Sequence, residues 1–234
     1  MDWSNLQHFD LSLLHFFNDS NNLMLDQLAC VLTSGLTWIP LYLVLLYVVI
    51  RNNETMAQIC LVIFSSVLCV LLADGLTDGL IKPYVARLRP CNDPVVKYTI
   101  CLVNNFSESG YSFCSAHAAN TMSIAVFFSF LVRSKLLTVV LVTWSLLNCW
   151  TRLYLGVHYP CDIMAGLFLG FMIGLLVYFI YHKLYKKISP DITYISNQYT
   201  STGYDYDDID TILSVLMLIL TYVVFRACIM TYYI

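Results

Sequence analysis

The first feature of this sequence is how little charge it has. Charged residues make up 12% of the 234 residues and hydrophobic residues 59%, whereas about a quarter of an average soluble protein is charged. The charges lie between long apolar runs, and a run of about 17–25 apolar residues is long enough to cross a bilayer as a helix. A buried soluble helix is the alternative for a single run, but not for several. The composition therefore excludes an ordinary soluble domain and predicts a polytopic helical membrane protein.

The N-terminal region lacks basic residues. No lysine or arginine precedes Arg51, so the basic region that opens a secretory signal peptide is missing. We therefore expect the apolar segments to be retained in the mature protein. The formal net charge of −3 indicates no particular partner. We expect a lipid bilayer around the chain, no nucleic acid and no obligate protein partner.

The cysteines lack the spacing of a metal or redox motif. None of the nine cysteines forms a C-x-x-C pair, which argues against a zinc site and a thioredoxin-like site. Cys91 and Cys101 share one polar loop, where an oxidising compartment would permit a disulfide. Cys114 and Cys161 are alternative partners, so the pairing is left open.

The apolar runs predict an all-α fold, a single domain over residues 1–234 built as a bundle of six transmembrane helices. A short amphipathic stretch at 9–17 is typical of an interfacial helix, and residues 24–34 form either a re-entrant segment or a leading turn. Pro160 is expected in the first turn of the fifth span. A polar stretch at 189–210 is predicted to lie at the surface. The six spans are expected near 36–51, 56–81, 116–132, 136–155, 160–181 and 211–230.

The distribution of lysine and arginine predicts the orientation of the bundle. With six spans, the loops near 51–56 and 133–136 and the segment 182–210 share one side, which holds six of these cations. The other side holds three, once the three cations of the motifs described next are set aside. Cytoplasmic loops carry the excess of positive charge. The 182–210 segment is therefore expected in the cytoplasm, with the motif side and both termini outside.

Three polar clusters lie far apart in the chain, each at the end of an apolar run. They are Lys82-x6-Arg89-Pro90, Ser115-Ala116-His117 and Arg152-x5-His158-x3-Asp162. In the six-span topology all three reach the same side of the membrane. Together they supply three cations, a hydroxyl, two imidazoles and a carboxylate. This set suits binding a phosphate, attacking it with a histidine and protonating the group that leaves.

The first two clusters also have simpler explanations. Lysine and arginine at span ends commonly extend to the interface, although Lys82 and Arg89 together are suited to clamp a phosphate. Ser115 is an ordinary helix N-cap, and a helix N-terminus also favours a bound anion. Taken alone, His117 would be interpreted as a core histidine.

His158 and Asp162 form the most specific pair. If a helix begins just before Pro160, the carboxylate can accept a hydrogen bond from one ring nitrogen and leave the other free to attack. The alternative is a metal site formed by His117, His158 and Asp162. The three nearby cations favour an anion over a divalent metal, so we expect no metal and no cofactor.

Taken together, the clusters resemble the motifs of the type-2 phosphatidic acid phosphatase family, which read K-x6-R-P, P-S-G-H and S-R-x5-H-x3-D. The resemblance covers the stretch from about 36 to 182, the core of the chain. Three residues depart from the family pattern: Cys114 replaces proline, Ala116 replaces glycine and Thr151 replaces serine. Every charged or titrating position of the motifs is kept, so the departures bear on substrate preference and not on the chemistry.

The resemblance implies a metal-independent phosphoryl transfer in two steps. His158 would attack phosphorus to form a phosphohistidine, and Asp162 would orient the ring and stabilise its charge. His117 would protonate the leaving oxygen and then activate water. The phosphate oxygens would be held by five donors: Lys82, Arg89, Ser115, the Ala116 N–H and Arg152.

The resemblance also implies the substrate class, a phosphorylated membrane lipid. The family includes bacterial enzymes for undecaprenyl pyrophosphate, phosphatidylglycerophosphate, phosphatidate and the phosphates of lipid A, and this compact chain is similar to them. We expect lipid A or undecaprenyl pyrophosphate as substrate, at the periplasmic face of a bacterial inner membrane. Two alternatives stay open: a metal-dependent membrane hydrolase, and a non-catalytic protein that binds or transports lipid phosphates.

Two acidic residues, Asp74 and Asp78, lie inside the second predicted span on the same helical stripe as Lys82. Acidic side chains within a span are costly. We expect them to pair with Lys82 or Arg87. The alternative is that they position Lys82 or line a polar path to the site.

Overall fold

The structure, a computed structural model, describes residues 3–20, 22–189 and 197–233. Within these residues the fold is all-helical, as predicted, apart from loops and two isolated β-bridges. In chain order the helices are α1 (Trp3–Asn18), α2 (Leu23–Leu32), α3 (Ile39–Arg51), α4 (Met56–Val85), α5 (Ala116–Val132), α6 (Lys135–Tyr154), α7 (Pro160–Ile188) and α8 (Tyr206–Tyr232).

Each of the six predicted spans overlaps one of the helices α3–α8, which make a multi-pass membrane bundle, although four or five spans, and not six, are long and apolar enough among the described residues. Among the described residues, four helices are long and apolar enough to cross a membrane, namely α4, α6, α7 and α8. Helix α2 and the segment Gly35–Arg51 pass the same test only together, as a pair bent by 67°. The predicted turn at 24–34 is thus one arm of a broken span or a re-entrant loop. The shorter apolar helix α5 contacts α4, α6 and α7.

Several helix ends lie beyond the predicted ones, because hydropathy marks the apolar part of a helix whereas hydrogen bonds mark its ends. Helix α4 continues through one π-helical stretch, Thr77–Ile81, to Val85. Helix α8 begins at Tyr206 because the Asp205 side chain caps it, accepting from the Asp207 N–H. The predicted surface stretch 189–210 therefore ends inside a helix. Its residues 190–196 lie outside the described residues.

Two glycines of α7 set how closely this helix packs on α5. A Cβ on Gly166 would lie 2.5 Å from the backbone oxygen of Ser115, and a Cβ on Gly170 would lie 2.4 Å from that of Ala119. Backbone atoms cannot move aside as a flexible side chain can, so a larger residue at either position would push the helices apart. The contact holds the N-terminal ends of α5 and α7 together.

The starts of these two helices follow the predictions. Helix α7 begins at Pro160, and helix α5 follows Ser115, whose side chain accepts from the Ala118 N–H as an N-cap. The Ser115 N–H donates to the Asp162 backbone oxygen at 3.1 Å. The second and third sequence clusters are therefore joined by the backbone itself.

Helix α1 lies against α6 and α7. Asn18 Nδ2 donates to the backbone oxygens of Tyr154, at 2.7 Å, and Cys101, at 2.9 Å. Its Oδ1 accepts from the Cys101 N–H at 2.7 Å. These bonds tie α1 to α6 and to the loop 86–115. Cys91 is buried in this region, Cys101 is exposed, and both are free thiols, so the disulfide that the sequence left open is not formed.

Candidate active site

All three sequence clusters come together at one end of the bundle, as the predicted topology required. Arg89 Nη1 lies 3.1 Å from His158 Nε2, which joins the first cluster to the third. The predicted residues occupy four helices and the loops between them: Lys82 in α4, Ser115, Ala116 and His117 at the start of α5, Arg152 in the last turn of α6, Asp162 in the first turn of α7, and Arg89 and His158 in the loops.

Most of this site is closed off from solvent. The exposed fraction is 5% for Arg89, 1% for Arg152 and His158, and 0% for Asp162. His117, by contrast, is exposed at the surface of the bundle. Charges taken this far out of water are costly unless they are paired. The partners of each buried charged side chain therefore indicate which kind of ligand the site could bind.

His158 faces Asp162 with one ring nitrogen and Arg89 with the other. Its Nδ1 lies 3.7 Å from Asp162 Oδ2, which is ion-pair range but too long for a hydrogen bond. The predicted hydrogen bond is thus not formed in this structure, and Nδ1 has no other hydrogen-bond partner among the described residues. The carboxylate nevertheless lies beside the ring nitrogen that points away from Arg89.

The partner of Nε2 identifies the tautomer of His158. A guanidinium has only donors, so Arg89 donates to Nε2, and the lone pair of the ring lies on Nε2. The single proton of the neutral ring is then on Nδ1, on the side of Asp162. Arg89 Nη1 also donates to the Val157 backbone oxygen at 3.3 Å, which anchors the guanidinium beside the ring.

His158 is neutral over most of the pH range. Complete burial lowers the pKa of His158 to about 4, and the charges of Arg152 and Arg89 act in the same direction although Asp162 opposes them. An unperturbed histidine titrates near about 6.5. At neutral pH the ring therefore keeps its lone pair, which is the form that a nucleophile requires.

Asp162 is held by three donors besides its contact with His158. Its Oδ2 accepts from Ser112 Oγ and from the Tyr159 N–H, the latter at 2.9 Å. Its Oδ1 accepts from Arg87 Nη1 at 2.8 Å. Three hydrogen bonds to one carboxylate stabilise its ionised form and fix its orientation.

Arg87 connects Asp162 to the N-terminal helix. Besides Asp162 it contacts Asp10 of α1, with Nη2 2.5 Å from Oδ2, and its guanidinium stacks 3.7 Å from the centre of the Tyr159 ring. Burial alone would lower the pKa of Arg87, but the carboxylates of Asp162 and Asp10 raise it overall. Asp10 is itself buried and also accepts from the Cys161 N–H at 2.9 Å. Neither Asp10 nor Arg87 was predicted from the sequence to lie in the site.

Glu108 is another site residue that was not predicted from the sequence. Its Oε2 lies 2.9 Å from Arg89 Nη1, and its Oε1 pairs with Arg152 Nη2. Burial opposes ionisation, but the charges of Arg152 and Arg89 lower the pKa of Glu108 overall. The available signal was that only two acidic residues, Asp93 and Glu108, occur in the loop 86–115.

The two intramembrane acids of α4 have separate partners. Asp78 Oδ1 pairs with Lys82 Nζ at 2.5 Å, as expected. Contrary to the expectation, Asp74 pairs with no cation among the described residues, but it accepts a hydrogen bond from Asn120 Nδ2 of α5 at 2.6 Å. An amide satisfies a carboxylate without a second buried charge. Asp74 thus joins α4 to α5.

The residues of the metal alternative are not grouped as ligands. Among the described residues, no set of three or more histidine, cysteine, aspartate or glutamate side chains is placed to hold a metal ion. The contacts of Asp162 are with donors, including Arg87 and Ser112. Donors of this kind suit an anion.

Comparison with known sequences agrees with this arrangement. A family model described as the PAP2 superfamily matches residues 59–186, a range that contains every predicted site residue. The chain is 36% identical over 188 residues to a lipid A 4'-phosphatase of Bacteroides thetaiotaomicron, which covers 80% of this chain and 83% of that protein. It is 28% identical over 158 residues to a lipid A 4'-phosphatase of Porphyromonas gingivalis, which covers 68% of this chain and 66% of that protein.

A solved structure has the same fold. It is the crystal structure of a transmembrane PAP2-type phosphatidylglycerolphosphate phosphatase from Bacillus subtilis, which superposes with a TM-score of 0.57 at 21% identity. The match covers 80% of this chain and 89% of that chain. The helix order described above is therefore that of a membrane protein whose structure is known.

Proposed function

The chain belongs to the PAP2 superfamily, and from the geometry of its site we propose that it removes phosphate from a membrane lipid through a phosphohistidine on His158. The observation that carries the proposal is the state of His158, which is buried and neutral, with its lone pair on Nε2 beside Arg89. A phosphate bound by the site arginines would present phosphorus to that lone pair. Asp162, on the opposite side of the ring, would stabilise the positive charge that the ring acquires.

In the first step, Nε2 of His158 forms a bond to phosphorus while the bond between phosphorus and the lipid oxygen breaks. Arg89 and Arg152 hold the phosphate oxygens as charge builds in the transition state. The N-terminus of α5 adds the Ala116 N–H and the Ser115 hydroxyl as donors. Lys82 supplies a further cation when its ammonium group leaves Asp78 and contacts the phosphate.

His117 is assigned the proton transfers. It donates a proton to the departing lipid oxygen in the first step. In the second step it takes a proton from water, whose oxygen attacks phosphorus as the bond to Nε2 breaks, and inorganic phosphate is released. The exposure of His117 at the bundle surface supports this assignment, because the lipid oxygen and water could both reach an exposed ring.

We propose the phosphate of lipid A as the substrate, because the likeness to the lipid A 4'-phosphatase of Bacteroides thetaiotaomicron covers 80% of the chain. Phosphatidylglycerophosphate and undecaprenyl pyrophosphate are the competing substrates. The test is phosphate release by the purified protein in detergent, with a strong chelator present, from equal concentrations of these lipids. Release from lipid A at least tenfold faster than from the others supports the proposal. Release only after metal is added would support the metal-dependent alternative.

We further propose that the site faces the periplasm across a bacterial inner membrane. The support is the excess of cations on the opposite side, six against three. Ser107 and Ser201 are both exposed, one on each side, so each is suited to carry a single cysteine in a cysteine-free background. In intact cells with a permeabilised outer membrane, an impermeant thiol reagent should label the Ser107→Cys protein and spare the Ser201→Cys protein. The reverse pattern would invert the orientation.

A further inference from the structure

Both arginines that the proposed function assigns to phosphate are already paired with an anion of the chain. The Glu108 carboxylate uses one oxygen for each guanidinium, Oε2 for Arg89 and Oε1 for Arg152. Carboxylates and phosphates bind arginine through the same geometry, with oxygens that accept from parallel N–H groups. The position of the Glu108 carboxylate is therefore one that a phosphate group also fits.

The relative exposure of the three side chains shows from which side an anion arrives. The side chains of Arg152 and Arg89 are 1% and 6% exposed, whereas that of Glu108 is 27% exposed. The carboxylate is the outer member of the group and covers the buried guanidiniums. While Glu108 occupies Arg89 Nη1 and Arg152 Nη2, a substrate phosphate cannot bridge the two guanidiniums through these atoms.

From these contacts we propose that Glu108 is an internal competitor for the phosphate site, displaced when the phosphate of the substrate binds. The inference rests on the proposed function, because that function assigns the two arginines to phosphate. While no substrate is bound, Glu108 forms an ion pair with each arginine. It thereby lowers the free-energy cost of burying two unpaired positive charges. Phosphate then has to compete with a carboxylate that is always present, which raises the concentration of substrate needed to fill the site.

The backbone around Glu108 is anchored, so the displacement is a movement of the side chain. Asn92 Nδ2 donates to the Glu108 backbone oxygen at 2.8 Å. Four residues later, the Ser112 N–H donates to the Arg87 backbone oxygen at 2.8 Å. Rotation about the side-chain bonds of Glu108 moves the carboxylate without breaking either contact. A glutamine at this position keeps the shape of the side chain and removes its charge.

The test compares Glu108→Gln with Asp93→Asn. The control removes one negative charge from the same loop, at a side chain that accepts from the Val95 and Val96 N–H groups and does not contact the arginines among the described residues. Two quantities are measured: the dissociation constant of inorganic phosphate, from the shift it causes in the thermal unfolding midpoint, and the KM and kcat for lipid substrate. Glu108→Gln should tighten phosphate binding and lower KM by about tenfold, as expected for removing a close competing charge. Asp93→Asn should change neither.

The outcomes separate this proposal from the proposed function. Tighter phosphate binding by Glu108→Gln supports the proposal that Glu108 competes with phosphate, even if the protein turns over no lipid. In that case the proposed function would be wrong, and the competition would still hold. An active parent enzyme whose Glu108→Gln variant binds phosphate no more tightly than the parent overturns the competitor. So does a fall in kcat at unchanged KM, which would mean that Glu108 positions the arginines for catalysis.

A second variant keeps the question decidable if Glu108→Gln fails to fold. Glu108→Asp retains the charge but is shorter by one methylene group, so it cannot bridge both arginines in the present geometry. Its phosphate dissociation constant and KM should fall between those of the parent and those expected for an uncharged side chain. Values equal to or above those of the parent would contradict the proposal.

Discussion

The two ends of the helix bundle hold their charges in different ways. At the site end, which contains His158, the side chains of Arg152 and Arg89 are 1% and 6% exposed and both pair with Glu108. At the far end, Arg51 pairs with Asp208 across 3.2 Å, but its side chain is 59% exposed. An exposed pair contributes little to stability, and a buried arginine is costly unless it has a partner. At the site end, therefore, two buried guanidiniums would act on a bound phosphate with little screening by solvent.

An opening also lies at the far end. It has a volume of about 650 Å³ and is lined by tyrosines, by Arg133 and by His182. His182 stacks on the Tyr178 ring, with 5.8 Å between the ring centres, whereas His158 faces a carboxylate and a guanidinium. The proposed site is therefore distinguished by its buried, paired cations and not by the presence of an opening. Four tests of the difference between the two ends follow, from the largest expected effect to the smallest.

The largest effect is expected from the two histidines. His158→Ala removes the proposed nucleophile and should reduce turnover by about 10⁴-fold or more, as loss of a nucleophile does in other covalent catalysts. His182→Ala removes a ring that stacks at the far end and should leave turnover nearly unchanged. Phosphate release by both purified variants, with circular dichroism as the control for folding, makes the comparison. Similar activity in the two variants would contradict the assignment of the site.

The second comparison is between two buried aspartates. Asp162→Asn removes the charge beside His158 and should reduce turnover by about 10²–10⁴-fold, by analogy with other carboxylate–histidine pairs. Because Arg87 would also lose one of its two carboxylates, the thermal midpoint should fall as well. Asp208→Asn, which weakens the Arg51 pair at the far end, should leave turnover unchanged. If the folded fraction of Asp162→Asn retained full activity, Asp162 would be a structural cap only.

The third comparison is between two arginines that each pair with aspartate. Arg87 does not touch the proposed phosphate position but holds Asp162, so Arg87→Gln should lower kcat by about 10–100-fold, as loss of a supporting contact typically does, with KM unchanged. Arg87→Lys should restore part of the loss, because lysine keeps the charge but cannot bridge two carboxylates in a plane. Arg51→Gln is the far-end control and should have no effect. A rise in KM at constant kcat would show instead that Arg87 binds the substrate.

The smallest effect is expected from pH. The pKa of His158 in the folded protein is about 4, below the value of about 6.5 for an exposed histidine. The unfolded chain therefore binds more protons between these values, and the free energy of unfolding falls as pH is lowered from about 6.5 towards 4. The thermal midpoint should drop more over this range for the parent than for His158→Gln, in which this group is absent. Identical drops would show that His158 titrates normally.

Much of the architecture could be predicted because it depends on local patterns. Long apolar runs mark the membrane helices whatever surrounds them, and Pro160 marks the start of α7 through its own geometry. The three clusters could be placed at one end of the bundle because each lies at the end of an apolar run. Counting the apolar runs along the chain then gives the side of the membrane that each cluster reaches. Helix ends were predicted less well, since a cap such as Asp205 extends α8 past its apolar part.

The contacts that complete the site depend on distant parts of the chain, and no periodicity reveals them. Arg87 and Asp10 are separated by 77 positions, and Arg87 and Asp162 by 75. Glu108 meets Arg89 and Arg152 only after the loop 86–115 has folded back over the ends of the helices. A sequence shows that these residues are charged. It does not show which charge each one meets, because that depends on how the loop and α1 pack on the bundle.

The most direct test of the central claim is to trap the covalent intermediate. The parent enzyme is mixed with lipid A that carries radioactive phosphate, quenched in alkali within the first turnover, and digested. The account predicts label on the peptide that contains His158, stable in base and lost in acid, and no label in the His158→Ala variant. Label on another residue, or turnover by the parent without any labelled protein at the earliest times, would contradict it.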